Sequence, residues 1–226
     1  MALDGIFLRH IKAELESILT DARVSQVSLP NRDELIINLR TFDGNKRLLI
    51  STRADSPRVG ITEYSVENPD KPPMFCMLLR KRLTSAKLIA IRQPDLERML
   101  FFDFDCVNEL GDKVKLSLAV EIMGKHSNIV LIDENGIIID ALKRVDLTLS
   151  SKRLVLPSLI YEMPPSQDKL SIEKEDTDNL IKAIEHNPET SLSKAILNTL
   201  TGVSPIICRE LSYISTGETD TDKDLM

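Results

Sequence analysis

The sequence predicts an α+β fold in which an antiparallel sheet is accompanied by helices. Three observations carry this. Apolar and polar residues alternate along short runs, most clearly in Leu35-Ile36-Ile37-Asn38-Leu39-Arg40. Asp43-Gly44-Asn45 and Glu134-Asn135-Gly136 separate such runs with hairpin-turn chemistry. Apolar residues recur at helical spacing near the start of the chain and again after residue 180.

Taken in order, Ile6, Phe7, Ile11, Leu15, Ile18 and Leu19 mark a helix over about 5–21, with Asp4 as its N-cap. His10 lies on its polar face and is assigned no role. Val24–Leu29, Glu34–Thr41, Arg47–Thr52 and Arg58–Thr62 read as a β-meander. A polar, proline-rich loop over 63–73 leads to Pro73 at the first turn of a helix. Met74-Phe75-Cys76-Met77-Leu78-Leu79 is apolar all round, so that helix is expected to be buried. It ends in Arg80-Lys81-Arg82. Cations at a helix C-terminus compensate the dipole, and they also suit a phosphate; both readings stand.

Lys87–Arg92 and Met99–Phe104 are the next strands, separated by the polar turn Gln93 to Arg98. The sheet continues through Val114–Met123, Asn128–Ile132 and Ile137–Ala141. A polar knot, Gly124-Lys125-His126-Ser127-Asn128, interrupts these runs, and such interruptions often carry function. Residues 143–174, with Pro157, Pro164 and Pro165, read as a linker packed partly on the sheet. Three helices follow: one around Leu180, Ile181 and Ile184, one over Leu192–Leu200 stopped by Gly202, and one from Pro205 through Leu211 with Ser204 as N-cap. The last two resemble a helix-hairpin-helix, whose turn offers backbone N–H groups to a phosphate; an ordinary αα-hairpin fits as well. The expected domains are 1–170, 171–216 and a disordered acidic tail, 217–226. The tail brings no closing element, as expected of a segment of a longer protein.

The 226 residues suit one large domain and a smaller one, and 42% hydrophobic content suffices for a core. The net charge is −6, but it is unevenly placed. Residues 162–226 hold 13 acids and 6 bases, whereas residues 1–161 hold 22 and 23. The larger part is balanced and can present a local basic face. Cys76, Cys106 and Cys208 are isolated among apolar neighbours and read as buried free thiols. The start lacks the pattern of a signal peptide and no apolar run spans a bilayer, which makes the cytosol the expected compartment.

Catalytic chemistry finds no support. His10, His126 and His186 lack a second metal ligand at i+3 or i+4. His126 and Ser127 are chain neighbours, which a strand would point to opposite faces. No phosphate loop or dinucleotide fingerprint exists, so neither an enzyme nor a cofactor is expected. The better case is recognition by Arg80, Lys81, Arg82, Lys87, Arg92 and Arg98, together with Lys125, His126, Ser127 and Asn128, all able to contact phosphate or sugar.

A set of motifs in family order resembles the N-terminal region of the NFACT family, the group of RqcH, fibronectin-binding protein A and NEMF proteins. They are Met1-Ala2-Leu3-Asp4-Gly5 with the following helix, Pro72 to Lys81, Gln93 to Arg98, Glu121 to Ile129, and Pro157 with Pro164-Pro165-Ser166-Gln167. The resemblance implies a β-sandwich with flanking helices, related to the N-terminal domain of formamidopyrimidine-DNA glycosylase, followed by a small helix-hairpin-helix domain. Those glycosylases use an N-terminal Pro amine and an adjacent Glu. This chain begins Met1-Ala2-Leu3, so glycosylase chemistry is not expected.

The resemblance further implies a ribosome-associated quality-control factor. It would bind tRNA and the large ribosomal subunit stalled with peptidyl-tRNA. It would recruit tRNA, alanyl-tRNA in bacteria, for C-terminal tailing. An Asp-Arg pair is the family's tRNA-contacting hallmark; here it reads Glu97-Arg98, one methylene longer. The implied nucleic-acid-binding set is Glu97 and Arg98, with Arg80, Lys81, Arg82, Lys125, His126 and Asn128 beside them. The alternative implied by one family label is a cell-surface adhesin binding fibronectin or fibrinogen.

Overall fold

A computed structural model describes residues 3–64, 67–165 and 168–222. Met1-Ala2, Ser166-Gln167 and the last four residues of the expected tail lie outside the described residues. The chain divides into two compact units. One comprises residues 3, 9–93 and 98–164, the other residues 4–8, 94–97 and 165–222. The division after 164 lies close to the expected 170, and two short upstream pieces belong to the second unit.

The first unit holds nine antiparallel strands: β1 (Arg23–Asn31), β2 (Glu34–Thr41), β3 (Gly44–Ser51), β4 (Arg58–Ile61), β5 (Lys87–Arg92), β6 (Met99–Val107), β7 (Lys113–Glu121), β8 (Asn128–Asp133) and β9 (Ile138–Ala141). Every expected strand is present within a few residues. They form one sheet in the order β4-β3-β2-β1-β5-β6-β7-β8-β9. The two halves are hydrogen-bonded into one ladder. The seam is short: only Arg23 and Lys87 are in register, flanked by bonds such as Val24 N–H to the Ala86 carbonyl at 2.9 Å. A second link joins the halves elsewhere. Asn128 accepts from the Lys143 N–H (2.9 Å) and donates to its carbonyl (2.8 Å). The Lys143 ammonium then reaches the Thr52 carbonyl at 2.8 Å and Asp33 at 3.4 Å.

Alternation in β2 decides which face is core. Leu35, Ile37 and Leu39 are completely buried and pair across to Ile50, Leu48 and Lys46. Ile36 and Asn38 point to the other face with their partners Leu49 and Arg47. Helix α1 (Gly5–Leu19) is capped by the Asp4 carboxylate, which accepts from the Phe7 N–H at 2.8 Å. Leu8, Leu15 and Leu19 form its buried stripe, while Phe7 and His10 face outward. Helix α2 (Met74–Leu83) packs on β1 and β6 through Phe75, Cys76, Leu79 and Leu83. Burying such side chains contributes roughly 1.5–3 kcal/mol each. Met74 and Met77 remain exposed, so α2 is amphipathic rather than buried all round.

Burial raises the thiol pKa of all three cysteines, to about 11 for Cys106 and for Cys208. The native chain at pH 8 should therefore react with less than one equivalent of a thiol reagent, and with all three thiols after denaturation. Fast labelling of the folded chain would contradict this.

The second unit carries α3 (Thr177–Glu185), α4 (Leu192–Thr199) and α5 (Pro205–Thr216). Leu192, Ile196, Leu200 and Cys208 are its core, and Leu180 and Ile184 pack against them. Helix α5 runs five residues beyond its expected end and stops at Gly217, whose φ is +84°. Part of the expected disordered tail is ordered. The Thr221 carbonyl accepts from the Leu192 N–H at 2.9 Å, and Asp220 accepts from Ser191 and Ser193 at 2.9 and 3.2 Å. The physical reason is that the N-terminus of α4 has unsatisfied N–H groups and a positive dipole end.

Candidate nucleic-acid interface

The predicted site residues do not gather at one place. Arg98 is exposed just before β6, and its carbonyl accepts from the Ile122 N–H at 2.8 Å. Among the described residues no ion pair holds its guanidinium. Residues Gly124–His126 form a single 3-10 turn two positions beyond Ile122, and Lys125 and His126 on it are exposed. Arg98, Lys125 and His126 therefore share the end of the sheet where β6 begins and β7 finishes.

Arg80, Lys81 and Arg82 lie elsewhere. Lys81 pairs with Glu109, in the turn after β6. Lys81, and more weakly Arg82, hold the Glu109 carboxyl below its ordinary range. β6 is nine residues long, so at about 3.3 Å per residue this turn is roughly 30 Å from Arg98. Arg80 is half-buried and its Nε donates to the Val27 carbonyl at 2.7 Å, tying α2 to β1. The cluster read from consecutive positions on α2 is thus structural at Arg80 and remote at Lys81 and Arg82.

Asn128 is also taken up internally. Its side chain is buried and makes the two bonds to Lys143 described above, and Oδ1 accepts from the Ile129 N–H as well. Ser127 is buried, and its hydroxyl accepts from the Met123 N–H at 2.9 Å, closing the 3-10 turn. Of the polar knot, only Lys125 and His126 present themselves outward.

Glu97 and Arg98 fall on opposite sides of the division between units. Glu97 is half-buried, and its N–H closes the turn onto the Pro94 carbonyl at 3.0 Å. In the same turn, Asp95 accepts from the Ser171 hydroxyl and pairs with Lys174 at 2.9 Å. Burial opposes ionisation of Asp95, but the Ser171 and Lys174 contacts outweigh it and hold the carboxyl below its ordinary value. Leu96 backs onto Gly202, whose φ is +76°; a Cβ there would come within 2.3 Å of the Leu96 Cβ.

Two groups of residues were not singled out from the sequence. One is the network beneath Arg98. Glu121, opposite Met99 in the ladder, takes both terminal nitrogens of Arg153 (2.6 and 3.1 Å) and the Tyr161 hydroxyl (2.8 Å). Burial works against charge on Arg153, yet the Glu121 bonds raise its pKa; burial and the Glu121 charge raise that of Tyr161. The other is Arg53. A Cβ on Gly124 would lie 3.8 Å from the Ala54 carbonyl, so the loop after β3 abuts the 3-10 turn and puts Arg53 in its vicinity. No local pattern announces either, since both depend on segments far apart in the chain.

Among the described residues no group of His, Cys, Asp and Glu could hold a metal ion, and no helix is long and apolar enough to cross a membrane.

Comparison with known proteins agrees with the motifs. The family model for NFACT N-terminal and middle domains matches residues 4–224. The Rqc2 homolog RqcH of Bacillus subtilis is 37% identical over 211 residues, which is 93% of this chain and 37% of that protein. The ribosome quality control complex subunit NEMF of Homo sapiens is 26% identical over 89% of this chain and 18% of its own length. This chain thus spans about a third or less of these relatives. The solved N-terminal domain of fibronectin-binding protein PavA from Streptococcus pneumoniae superposes with a TM-score of 0.88 at 32% identity, covering 96% of this chain and 80% of that one. The fibrinogen binding protein from Staphylococcus aureus gives 0.82 at 32% identity, over 93% and 74%. With most of its length matched by the family model, and with the sheet-plus-helices architecture shared, the chain belongs to the NFACT family.

Proposed function

We propose that this chain is the RNA-contacting N-terminal part of a ribosome-associated quality-control factor. It would engage tRNA on a large subunit stalled with peptidyl-tRNA and help recruit tRNA, alanyl-tRNA in bacteria, for C-terminal tailing. The observation that carries the reading is the exposed rim of Arg98, Lys125 and His126 at one end of the sheet. A guanidinium there can take a phosphate or a base edge with two parallel bonds. The names of the RqcH and NEMF relatives support the same role; a cytoplasmic compartment and a non-enzymatic character are part of the proposal. The α4–α5 turn with Gly202 fits a helix-hairpin-helix, and the sheet fits a relation to the glycosylase N-terminal domain without its chemistry.

The test is tRNA binding by the 226-residue chain at low and high salt. Arg98→Ala should weaken binding roughly fivefold or more, and Lys125→Ala should lower the salt slope by about one. Unchanged binding in Arg98→Ala, or none by the parent chain at low salt, refutes the reading. Glu97→Asp, which restores the family's usual pair, should bind at least as well as the parent chain.

The names of the solved neighbours favour a second reading, adhesion to fibronectin or fibrinogen. Saturable binding to immobilised fibronectin, combined with surface exposure on intact cells, would support it over the first.

A further inference from the structure

Beside the rim, the outer face of β3 and β4 is hollow. The cavity measures about 440 Å³. Arg53 and Arg58 flank it, Leu49 is its floor, and Tyr64 lies along it with 64% of its surface exposed. Gly60 opposes Leu49 in the ladder, so a side chain at Gly60 would project over the same floor. A Cβ there would meet no atom within 4 Å, and Gly60 does not adopt a positive φ. The glycine leaves room that no turn or backbone conformation requires.

The charges of the cavity are unequal in kind. Glu34, its carboxylate, is already held by Arg58 at 3.3 Å and by the Asn31 amide at 2.7 Å. Arg53 pairs only loosely with Asp55, at 3.4 Å, and is half-exposed. The loop that carries Arg53 passes by the 3-10 turn with Lys125 and His126, since a Cβ on Gly124 would lie 3.8 Å from the Ala54 carbonyl. Next to the carboxylate, the apolar floor and the exposed ring suit an uncharged planar group whose N–H can donate to Glu34. The Arg53 end suits a phosphate, and the Leu49 floor with the Tyr64 ring suits a stacked base.

We propose that this cavity is a nucleotide subsite: it takes one base of a single-stranded RNA segment whose phosphates continue past Arg53 toward Lys125 and His126. The proposal rests on the RNA reading above and names a second, separate place of contact. A groove that served only as a polyanion surface would need neither an exposed ring nor a bare glycine.

The test uses the whole 226-residue chain with three probes: a short, unstructured, fluorescein-labelled oligoribonucleotide, a folded tRNA, and heparin. Tyr64→Ala and Gly60→Leu should each weaken oligoribonucleotide binding roughly fivefold or more. Melting temperatures should not change, since one variant removes an exposed ring and the other fills open space. Arg53→Ala should reduce the salt slope by about one. Heparin binding should be insensitive to Tyr64→Ala and Gly60→Leu. The subsite is overturned if both variants bind the oligoribonucleotide like the parent chain, if they lose heparin to the same extent, or if the parent chain does not bind the oligoribonucleotide at all. In each of those cases tRNA binding that still depends on Arg98 leaves the rim reading standing. Oligoribonucleotide binding that needs Tyr64, with tRNA binding indifferent to Arg98, does the reverse.

Discussion

Replacing Arg153 by Met should lower the free energy of unfolding by about 3–5 kcal/mol, read as a shift of the urea midpoint at constant slope. The size follows from what is left behind. Glu121 is 1% exposed and the Arg153 side chain 12%. Without the guanidinium, Glu121 keeps, among the described residues, only the Tyr161 hydroxyl as a side-chain partner, in a site that Tyr161 and Phe101 shield by an edge-on ring contact at 5.9 Å. The Arg153 Nε bond to the Glu162 carbonyl, 2.6 Å, is lost as well, so the segment ending at Glu162 loosens. The double variant Glu121→Gln with Arg153→Met should recover part of the loss, because an amide is far cheaper to bury than a carboxylate. A cost under about 1 kcal/mol for the single variant would mean that water reaches the pair.

Gly202→Ala should cost about 2–5 kcal/mol, felt in the helical unit. Two effects add. A left-handed backbone costs an L-residue about 1–2 kcal/mol, and forcing a methyl into packed surroundings costs about 1–3 kcal/mol. The methyl would come 2.3 Å from the Leu96 Cβ and 2.9 Å from its carbonyl oxygen, and the Gly202 carbonyl must also keep its 3.1 Å bond from the Ile6 N–H. Amide exchange should therefore rise in α4 and α5 while amides of β6 and β7 stay protected. Acceptance of alanine within about 1 kcal/mol would contradict the close approach.

The strands and helices were legible because their signals are local. Alternation placed β2, Asn135-Gly136 placed the β8–β9 turn, and Asp4 capped α1 as expected. What failed was non-local. Arg80-Lys81-Arg82 looked like one cluster because the residues are consecutive, yet a helix turns each by about 100° and α2 ends beside the far turn of β6. Asn128 looked like a donor for a ligand because it is polar, but its partner Lys143 is fifteen residues away and invisible to any window. Arg53 was passed over because only closure of the sheet brings its loop to Gly124. Family membership survived these misplacements, since it rests on the order of motifs and not on which side chains meet.

The short seam between β1 and β5 also bears on how the molecule is made. Every other neighbour in the sheet is the next strand along the chain, so each pairing closes a short loop at little entropic cost. A ribosome releasing this chain N-terminus first delivers β1 to β4 as a finished meander before β5 appears, and β5 to β9 can then assemble in the same serial way. Among the strand pairings, one alone, Arg23 meeting Lys87 across some sixty residues, has to wait. Disruption at that seam should slow folding while leaving each half's own pairing intact.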